Sequence, residues 1–182
     1  MIVQDDFLEY PVVFITLSQI LDYWDKENHP EDIGSFPGIR TKALHKEYKD
    51  IWRQVMYLLE PTYNRFGVSY LEGNHHYSFS KLKNDSNTFM HSDDDLRVAA
   101  DEMILAGVIY LNPTPIDSLE SGTWFTIDNQ IKKIENRYNR LVLYDGGSPH
   151  SAGSAWGETW DDCRLTLTIF STFKKGKRKW NI

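Results

Sequence analysis

The stretch that decides the fold is Arg164-Leu165-Thr166-Leu167-Thr168-Ile169, near the end of the chain. Polar and apolar residues alternate along it, and successive side chains of a β-strand point to opposite faces of the sheet. The two leucines and Ile169 therefore share one face, whereas the arginine and both threonines share the other. The pattern predicts a strand between two layers, with its leucine face packed beneath helices.

The arginine at the start of this strand is the feature that needs explanation. A buried guanidinium surrounded by threonines is costly unless an anion meets it. A guanidinium can hold a carboxylate through two parallel hydrogen bonds, so Arg164 is a candidate anion-binding residue. The alternative, which the sequence leaves open, is that Arg164 pairs with a surface carboxylate such as Asp161 or Asp162.

The rest of the chain divides into helices first and strands later. Ser18 is predicted to cap a short helix that includes Trp24, and apolar spacing predicts a second helix from Thr41 to Glu60, ended by Pro61. Short runs bounded by turn-forming residues predict strands at Val68–Leu71, His76–Phe79, Ala106–Leu111, Thr123–Ile127, Arg140–Tyr144 and Arg164–Phe173. The predicted fold is mainly β with N-terminal helices (α+β), an antiparallel double sheet covered on one face by helices.

Length and charge restrict the class of protein. The 182 residues suit one domain, with residues 1–65 as a helical support region, 66–173 as the β core and 174–182 as a basic tail. Of the 20 basic residues, five lie between Lys174 and Lys179, so the rest of the chain carries 15 basic against 26 acidic residues, a net charge of −11. An acidic body disfavours nucleic acid as a partner.

The sequence also predicts the cellular compartment. No apolar run reaches the roughly 20 residues that cross a bilayer, so we expect no membrane association. The first residues have neither the basic region nor the apolar stretch of a signal peptide, and Cys163 is the single cysteine. A cytoplasmic location is therefore expected. Cys163 itself is expected to be an unreactive thiol, and His75 and His76 to be turn or surface residues on opposite faces.

Two histidines and one carboxylate form a candidate metal site. His91 and Asp93 follow the apolar residues Phe89 and Met90, and residues two apart on a strand edge point to the same side. His150 follows a predicted strand and a turn rich in glycine and proline, which can present its imidazole inward. Two histidines and a carboxylate on one face of an ion form the facial triad of non-haem Fe(II) oxygenases. The alternative is an exposed polar turn within a solvated acidic run.

Together, these positions resemble a known family. His91-x-Asp93, His150 and Arg164 match, in order and spacing, the signature of the Fe(II)/2-oxoglutarate-dependent oxygenases. Further segments resemble the prolyl-hydroxylase-like branch of that family, over roughly residues 66–173: Gly107–Asn112, Ser121–Phe125 and Asn139–Tyr144. Phe36–Thr41 is similar to small phage and bacterial proteins grouped with these enzymes. The resemblance implies a double-stranded β-helix (jelly-roll/cupin-like) core.

The resemblance also implies a role for each matched residue. His91, Asp93 and His150 would bind Fe(II), with no catalytic residue beyond this metal centre. Arg164 would hold the far carboxylate of 2-oxoglutarate, and Tyr110 and Thr168 would support that co-substrate. Trp124 and Trp156 lie near the predicted site and are candidates for contact with the substrate.

The reaction implied is hydroxylation of an unactivated C–H bond by O2, coupled to decarboxylation of 2-oxoglutarate to succinate. The prolyl-hydroxylase-like segments favour a peptide or small-molecule substrate, with the enzyme a peptidyl-prolyl or other protein or amino-acid hydroxylase in the cytoplasm, or in that of the host if a phage encodes it. Ser121 departs from the Gly-Gly pair usual in this branch, and residues 113–122 form an unusual loop, so the substrate stays open. The alternatives are a metal-stapled β-sandwich without activity, a nucleic-acid demethylase of the same superfamily, and a cupin-like dioxygenase that needs no co-substrate.

Overall fold

The computed structural model describes residues 1–25, 27, 36–69, 71, 73–93 and 102–174. Most of the predicted loop at residues 31–38 lies outside these ranges. So do the acidic residues that follow Asp93 and the basic tail from residue 175 onward. Within the described part of the chain, no helix has both the length and the apolar character that crossing a membrane would require.

The described residues of the N-terminal part contain three helices, and they differ from the predicted ones. They are α1 (Pro11–Ile20), α2 (Leu44–Glu47) and α3 (Lys49–Arg65). The predicted cap at Ser18 is wrong: α1 begins at Pro11, and the Ser18 hydroxyl donates to the Ile15 carbonyl inside the helix, 2.7 Å away. Pro61 does not end α3, because it lies on the exposed face where water can solvate the carbonyl that its ring displaces.

The described ranges contain ten strands, named here in chain order, and several extend beyond the predicted bounds. They are β1 (Ile2–Gln4), β2 (Tyr23–Trp24), β3 (Ile39–Thr41), β4 (Gly73–Leu82), β5 (Glu102–Tyr110), β6 (Thr123–Ile127), β7 (Gln130–Ile134), β8 (Leu141–Asp145), β9 (His150–Ala152) and β10 (Arg164–Lys174). The region before residue 66 therefore supplies strands as well as helices.

The strands form two antiparallel sheets. The larger sheet has the order β1-β8-β5-β10-β4-β3-β2, and the smaller has the order β7-β6-β9. Strand β10 lies in the middle of the larger sheet, paired along its length with β4 on one side and β5 on the other. The predicted antiparallel double sheet with helices against one face is confirmed.

The two faces of β10 separate the interior into two layers, as its alternation predicts. Leu165, Leu167 and Ile169 join the main core, where they pack with Leu59 and Tyr63 of α3. Thr166 and Thr168 are buried on the opposite face, towards the smaller sheet. A second apolar cluster lies on that inner side: Ile104, Ala106, Val108, Tyr110, Phe125, Val142 and Tyr144. This inner layer contains the candidate site.

The hairpin predicted for residues 68–79 is wrong. Val68 instead follows the end of α3, where its N–H donates to the Tyr63 carbonyl, and a single strand, β4, begins at Gly73. Within β4, His75 is 7% exposed and its Nδ1 lies 2.8 Å from the Ser171 hydroxyl. The prediction that His75 is a turn or surface residue is therefore wrong, because its strand is central and covered by α3.

Candidate metal centre

Three predicted ligands meet in space. One ligand atom from each of His91, Asp93 and His150 lies within 4.8 Å of the other two. The His91 Nε2 is 3.6 Å from one carboxylate oxygen of Asp93, and the His150 Nε2 is 3.5 Å from the other. These residues are separated by up to 59 positions in the sequence, so the fold itself creates the cluster.

Backbone pairing brings the two histidines together. His91 and His150 form an isolated antiparallel bridge, with both N–H···O contacts at 2.8 Å. This bridge continues the smaller sheet beyond β9 and places the two imidazole centroids 4.5 Å apart. Directly opposite residues of an antiparallel pair carry their side chains on the same face, which is what shared ligation of one ion requires.

Gly146 allows Asp93 to approach. The Asp93 N–H donates to the Gly146 carbonyl, 2.8 Å away, and the Gly146 N–H donates to the Ile104 carbonyl at 2.8 Å. A Cβ atom on Gly146 would lie 2.9 Å from the Ile104 side chain and 3.2 Å from the Asp93 Cβ. A larger residue would therefore push the turn away from β5 and the carboxylate away from the histidines.

Each imidazole is oriented by a main-chain carbonyl. The His91 Nδ1 lies 3.0 Å from the Phe89 carbonyl, and the His150 Nδ1 lies 2.9 Å from the Ser148 carbonyl. A carbonyl only accepts, so Nδ1 must carry the proton in both rings. The neutral rings then present an unprotonated Nε2 towards Asp93, which is the arrangement of metal-ligating histidines.

The Asp93 carboxylate fits a cation. Its side chain is 1% exposed, and its Oδ2 has no hydrogen-bond partner in the described part of the chain. A buried carboxylate oxygen without a partner is strongly unfavourable, and an ion held between this oxygen and the two Nε2 atoms would satisfy it. Two imidazoles and one carboxylate suit Fe(II).

The two histidines have opposite pKa shifts. The pKa of His91 is raised, chiefly by its interaction with the Asp93 carboxylate. The pKa of His150 is lowered, chiefly because the ring is buried. The His150 side chain is only 6% exposed, against 37% for His91, so the cluster has one sealed side and one side that is open.

Arg164 is buried on the inner face and is held by main-chain carbonyls. It is 3% exposed, its Nε donates to the Ser121 carbonyl at 2.9 Å, and its Nη2 lies 3.4 Å from the Gly122 carbonyl. Burial lowers the pKa of this guanidinium. Asp162, one of the two proposed surface partners, instead accepts from the main-chain N–H and hydroxyl of Thr159. Among the described residues, no carboxylate pairs with Arg164.

Hydroxyl groups line the same inner face. The Tyr110 ring lies 5.5 Å from the Arg164 guanidinium carbon, and the Tyr110 hydroxyl is hydrogen-bonded to the Thr123 hydroxyl at 2.6 Å. Thr168 lies further along β10, where its hydroxyl donates to the Ser78 carbonyl at 2.9 Å. The structure therefore brings Tyr110 close to Arg164. It places the Thr168 hydroxyl against Ser78 and Ser80 of β4.

Thr166 also lies on the inner face, although no role was predicted for it from the sequence. It is 1% exposed, lies between Arg164 and Thr168 on β10, and is directly opposite Tyr110 of β5. The signal was available, because Thr166 belongs to the same alternating pattern that identified its two neighbours.

The structure does not bring either candidate tryptophan to the cluster. Trp124 alternates with Thr123 and Phe125 on β6, and those two are buried inward, so Trp124 faces the other side, 4.4 Å from the Lys133 ammonium. Trp156 is 7% exposed in the segment between β9 and β10, and no described contact joins it to the metal ligands.

Cys163, which precedes Arg164, is buried. Its thiol lies 3.3 Å from the Trp160 carbonyl, and burial raises its pKa to about 11. A thiol with such a pKa is almost entirely protonated at neutral pH, in agreement with the expected unreactive cysteine.

Comparison of the whole chain with solved structures identifies the architecture. HygX from Streptomyces hygroscopicus, with nickel and 2-oxoglutarate bound, is 11% identical with a TM-score of 0.68, covering 99% of this chain and 85% of that one. A prolyl-4-hydroxylase from Pseudomonas putida is 16% identical with a TM-score of 0.62, covering 95% and 91%. The chain has the double-stranded β-helix fold of these oxygenases.

A third double-stranded β-helix supports the same assignment. A prolyl hydroxylase from Trichoplax adhaerens, in complex with a peptide of hypoxia inducible factor, is 14% identical with a TM-score of 0.64, covering 96% of this chain and 83% of that one. No protein-family model and no curated protein matches the sequence. The predicted double-stranded β-helix core is confirmed.

Proposed function

We propose that this protein is an Fe(II)- and 2-oxoglutarate-dependent oxygenase that hydroxylates an unactivated C–H bond and converts 2-oxoglutarate to succinate and carbon dioxide. The observation that carries the proposal is the combination of two oriented Nε2 atoms and an unpartnered Asp93 oxygen with a buried arginine that has no described carboxylate partner. Both features lie inside one double-stranded β-helix.

His91, Asp93 and His150 would hold the iron. Fe(II) bound there with 2-oxoglutarate would supply the activation of O2. The protein contributes the geometry: the main-chain bonds to both Nδ1 atoms keep each Nε2 directed at the ion, and the bridge between residues 91 and 150 fixes their separation. Three protein ligands on one face leave the remaining coordination positions for co-substrate and O2.

Arg164 would hold the far carboxylate of 2-oxoglutarate. Its Nε is occupied by the Ser121 carbonyl, which orients the guanidinium so that its remaining N–H groups can donate to an anion. The Tyr110 and Thr123 hydroxyls share one hydrogen bond, which leaves a further hydroxyl proton of that pair to donate to the same carboxylate. Thr166, which lies opposite Tyr110, completes the polar lining, with Thr168 as its outer support.

The proposed substrate is a peptidyl-proline, another protein residue or an amino acid. The similar structures include a prolyl hydroxylase with a bound peptide and HygX with hygromycin B, so this fold accepts both peptides and small molecules. The acidic body, with 15 basic against 26 acidic residues outside the basic tail, favours these over nucleic acid. The proposal also includes a single domain spanning residues 1–182 and a cytoplasmic location. It places the protein with the small phage and bacterial oxygenases.

The test is an anaerobic titration of the metal-free protein with Fe(II) and then 2-oxoglutarate. Chelation of iron by the keto acid should give a weak visible charge-transfer band. Asp93→Ala should abolish metal binding, whereas Arg164→Ala should keep metal binding and weaken 2-oxoglutarate binding strongly. Asp50→Ala is the matched control, because it removes an exposed carboxylate on α3.

Admission of air should then produce succinate in the wild-type protein at a rate that a peptide or amino-acid substrate increases. If iron and 2-oxoglutarate both bind and no band forms, the proposal is wrong. If the band forms and O2 never consumes 2-oxoglutarate with any substrate, the chain is a metal-stapled binding module instead.

A further inference from the structure

A second arginine lies on the inner face of the larger sheet. Arg40 in β3 pairs with Ser80 of β4, Ser80 pairs with Thr166 of β10, and Thr166 pairs with Tyr110 of β5. Residues paired across neighbouring strands carry their side chains on the same face, so Arg40 begins the row that ends at Tyr110. Three strand spacings put its Cα roughly 14 Å from that of Tyr110.

The Arg40 guanidinium lies close to two aromatic rings. Its central carbon lies 3.7 Å from the centroid of the Phe36 ring and 5.6 Å from that of Phe170, which is on the inner face of β10. All three residues are partly exposed, whereas Ser80 and Thr166 in the same layer are each 1% exposed. Arg40 therefore lies at a rim that solvent reaches, where the rings can stabilise its charge.

Arg40 has an unsatisfied polar atom. Its Nε is buried and has no hydrogen-bond partner within the ranges that the structure describes. Arg53, Arg137 and Arg140 each lie within salt-bridge distance of a carboxylate, but among the described residues no carboxylate does so for Arg40. Because a buried N–H without a partner is costly, and solvent reaches the rest of the group, an anion arriving from solvent would complete this site.

The metal cluster lies on the same side of the molecule. The charges of Asp93 and Tyr144 both favour the protonated form of Arg40, whose pKa burial lowers to about 10. The group stays protonated at neutral pH, and its charge in turn opposes protonation of His91. Arg40 is thus near enough to Asp93 and His91 for their charges to interact, whereas Arg164 precedes Thr166 by two residues on β10.

The charge balance of the loaded site indicates which kind of group Arg40 would bind. In the loaded site, the two positive charges of Fe(II) and that of Arg164 would equal the one negative charge of Asp93 and the two of 2-oxoglutarate. Arg40 then adds one positive charge that no carboxylate of the described residues pairs with, and one negative charge on the substrate would offset it. A planar guanidinium suits a planar carboxylate, which it can bind through two parallel hydrogen bonds.

We propose that Arg40 binds a carboxylate group of the primary substrate at the rim of the site, so that the substrate is an acid, as in a free amino acid or an acidic peptide. This inference rests on the proposed function, because it assigns the substrate class of that same site. Arg40 is a binding residue for the substrate, and Arg164 remains the residue for the co-substrate.

The test compares benzoate with benzamide on the protein loaded anaerobically with Fe(II) and saturating 2-oxoglutarate. Saturation fills the Arg164 position, and the aromatic probe suits a site between Phe36 and Phe170. Benzoate should raise the melting temperature and benzamide should not. Arg40→Gln should weaken benzoate binding at least tenfold. Arg40→Lys keeps the positive charge but loses the two parallel N–H donors of the guanidinium, so it should weaken benzoate binding less. Arg53→Gln is the control, since it removes an exposed arginine.

Each result decides between the assignments. Equal effects of benzoate and benzamide, or a benzoate effect that survives Arg40→Gln, would overturn the substrate assignment. Loss of the charge-transfer band in both Arg40 variants would mean that Arg40 binds the co-substrate, and it would also overturn the substrate assignment. Absence of that band in the wild-type protein would overturn the proposed function, whatever the probe does.

Discussion

Replacing Arg164 with methionine should separate its role in folding from its role in binding. Methionine keeps an unbranched apolar stem, lacks the guanidinium group and removes the charge. The change breaks the 2.9 Å bond to the Ser121 carbonyl and the 3.4 Å contact with the Gly122 carbonyl, which still accepts from the Gly153 N–H. Hydrogen bonds from a charged donor contribute about 1.5–3 kcal/mol each, and the longer one less, so the loss is roughly 2–3 kcal/mol.

A second effect opposes this loss. The ligand-free protein buries the Arg164 cation without a described carboxylate, at a cost of several kcal/mol per ion. Removing the charge relieves that cost, so Arg164→Met should change the free energy of unfolding by no more than about 2 kcal/mol. Breaking a buried ion pair would instead cost about 3–5 kcal/mol. Urea unfolding of the two proteins measures the difference.

Binding of 2-oxoglutarate should change far more. Losing one partner of a buried charge pair costs about 2–5 kcal/mol, which corresponds to at least a thirtyfold weakening. In the presence of Fe(II), 2-oxoglutarate at about 100 times its dissociation constant stabilises the wild-type protein by about 2.7 kcal/mol. A hundredfold weaker site would leave about 0.4 kcal/mol.

The assay is urea unfolding with and without 2-oxoglutarate, under anaerobic conditions. Arg53→Met is the control, because it removes an exposed arginine of α3. A ligand-free Arg164→Met protein destabilised by more than about 3 kcal/mol, and still fully stabilised by 2-oxoglutarate, would refute the reasoning and make Arg164 a structural ion-pair residue.

Two further predictions concern the surroundings of this site. A methyl group on Gly122 would lie 1.8 Å from the main-chain oxygen of Ile134, so Gly122→Ala should displace the segment that holds Arg164 and weaken 2-oxoglutarate binding at least tenfold in the charge-transfer titration. Hydrogen bonds from Arg140 lower the pKa of Asp5, so this carboxylate stabilises the fold above its unfolded pKa near 3.8, and the effect is lost as pH falls through the lower folded value. Asp5→Asn should therefore cost roughly 0.5–1 kcal/mol at pH 6 and less at low pH, by urea unfolding.

A control variant and two contrary outcomes test these predictions. Ser121→Ala removes a buried hydroxyl that has no hydrogen-bond partner within the described ranges and leaves the carbonyl in place, so it should bind 2-oxoglutarate as the wild type does. Equal binding by Gly122→Ala would mean that the segment yields to the added methyl group. A stability difference for Asp5→Asn that grows as pH falls would contradict the assigned sign.

The site was predictable wherever a short pattern fixes the direction of a side chain. The alternation along β10 placed Arg164 on the inner face, and the two-residue spacing of His91 and Asp93 placed both on one side of an edge. The same rule applied to β6 would have excluded Trp124, since its neighbours are the residues that face inward.

Tertiary contacts decided what the sequence could not. Strand β7 is exposed and polar, and only its pairing with β6 makes it a strand. Strand β3 has three residues after a glycine and a proline, and it forms because it adds to the edge of β4. No periodicity is detectable in so short a segment, so the inward position of Arg40 was not predictable.

The strand that carries Arg40 is added outside the strands that carry the other site residues. Arg164 lies on β10, Tyr110 on β5, and the metal ligands at the His91–His150 bridge, all after residue 66. Under the proposed function, iron and 2-oxoglutarate need only the elements that carry the metal ligands, Tyr110 and Arg164. The choice of substrate needs a residue that can change without disturbing those elements. An arginine on a strand added beyond β4 meets that condition, because its loss leaves the pairing of β4, β10 and β5 intact. We therefore expect changes at position 40 to alter which substrate is hydroxylated before they alter the consumption of 2-oxoglutarate.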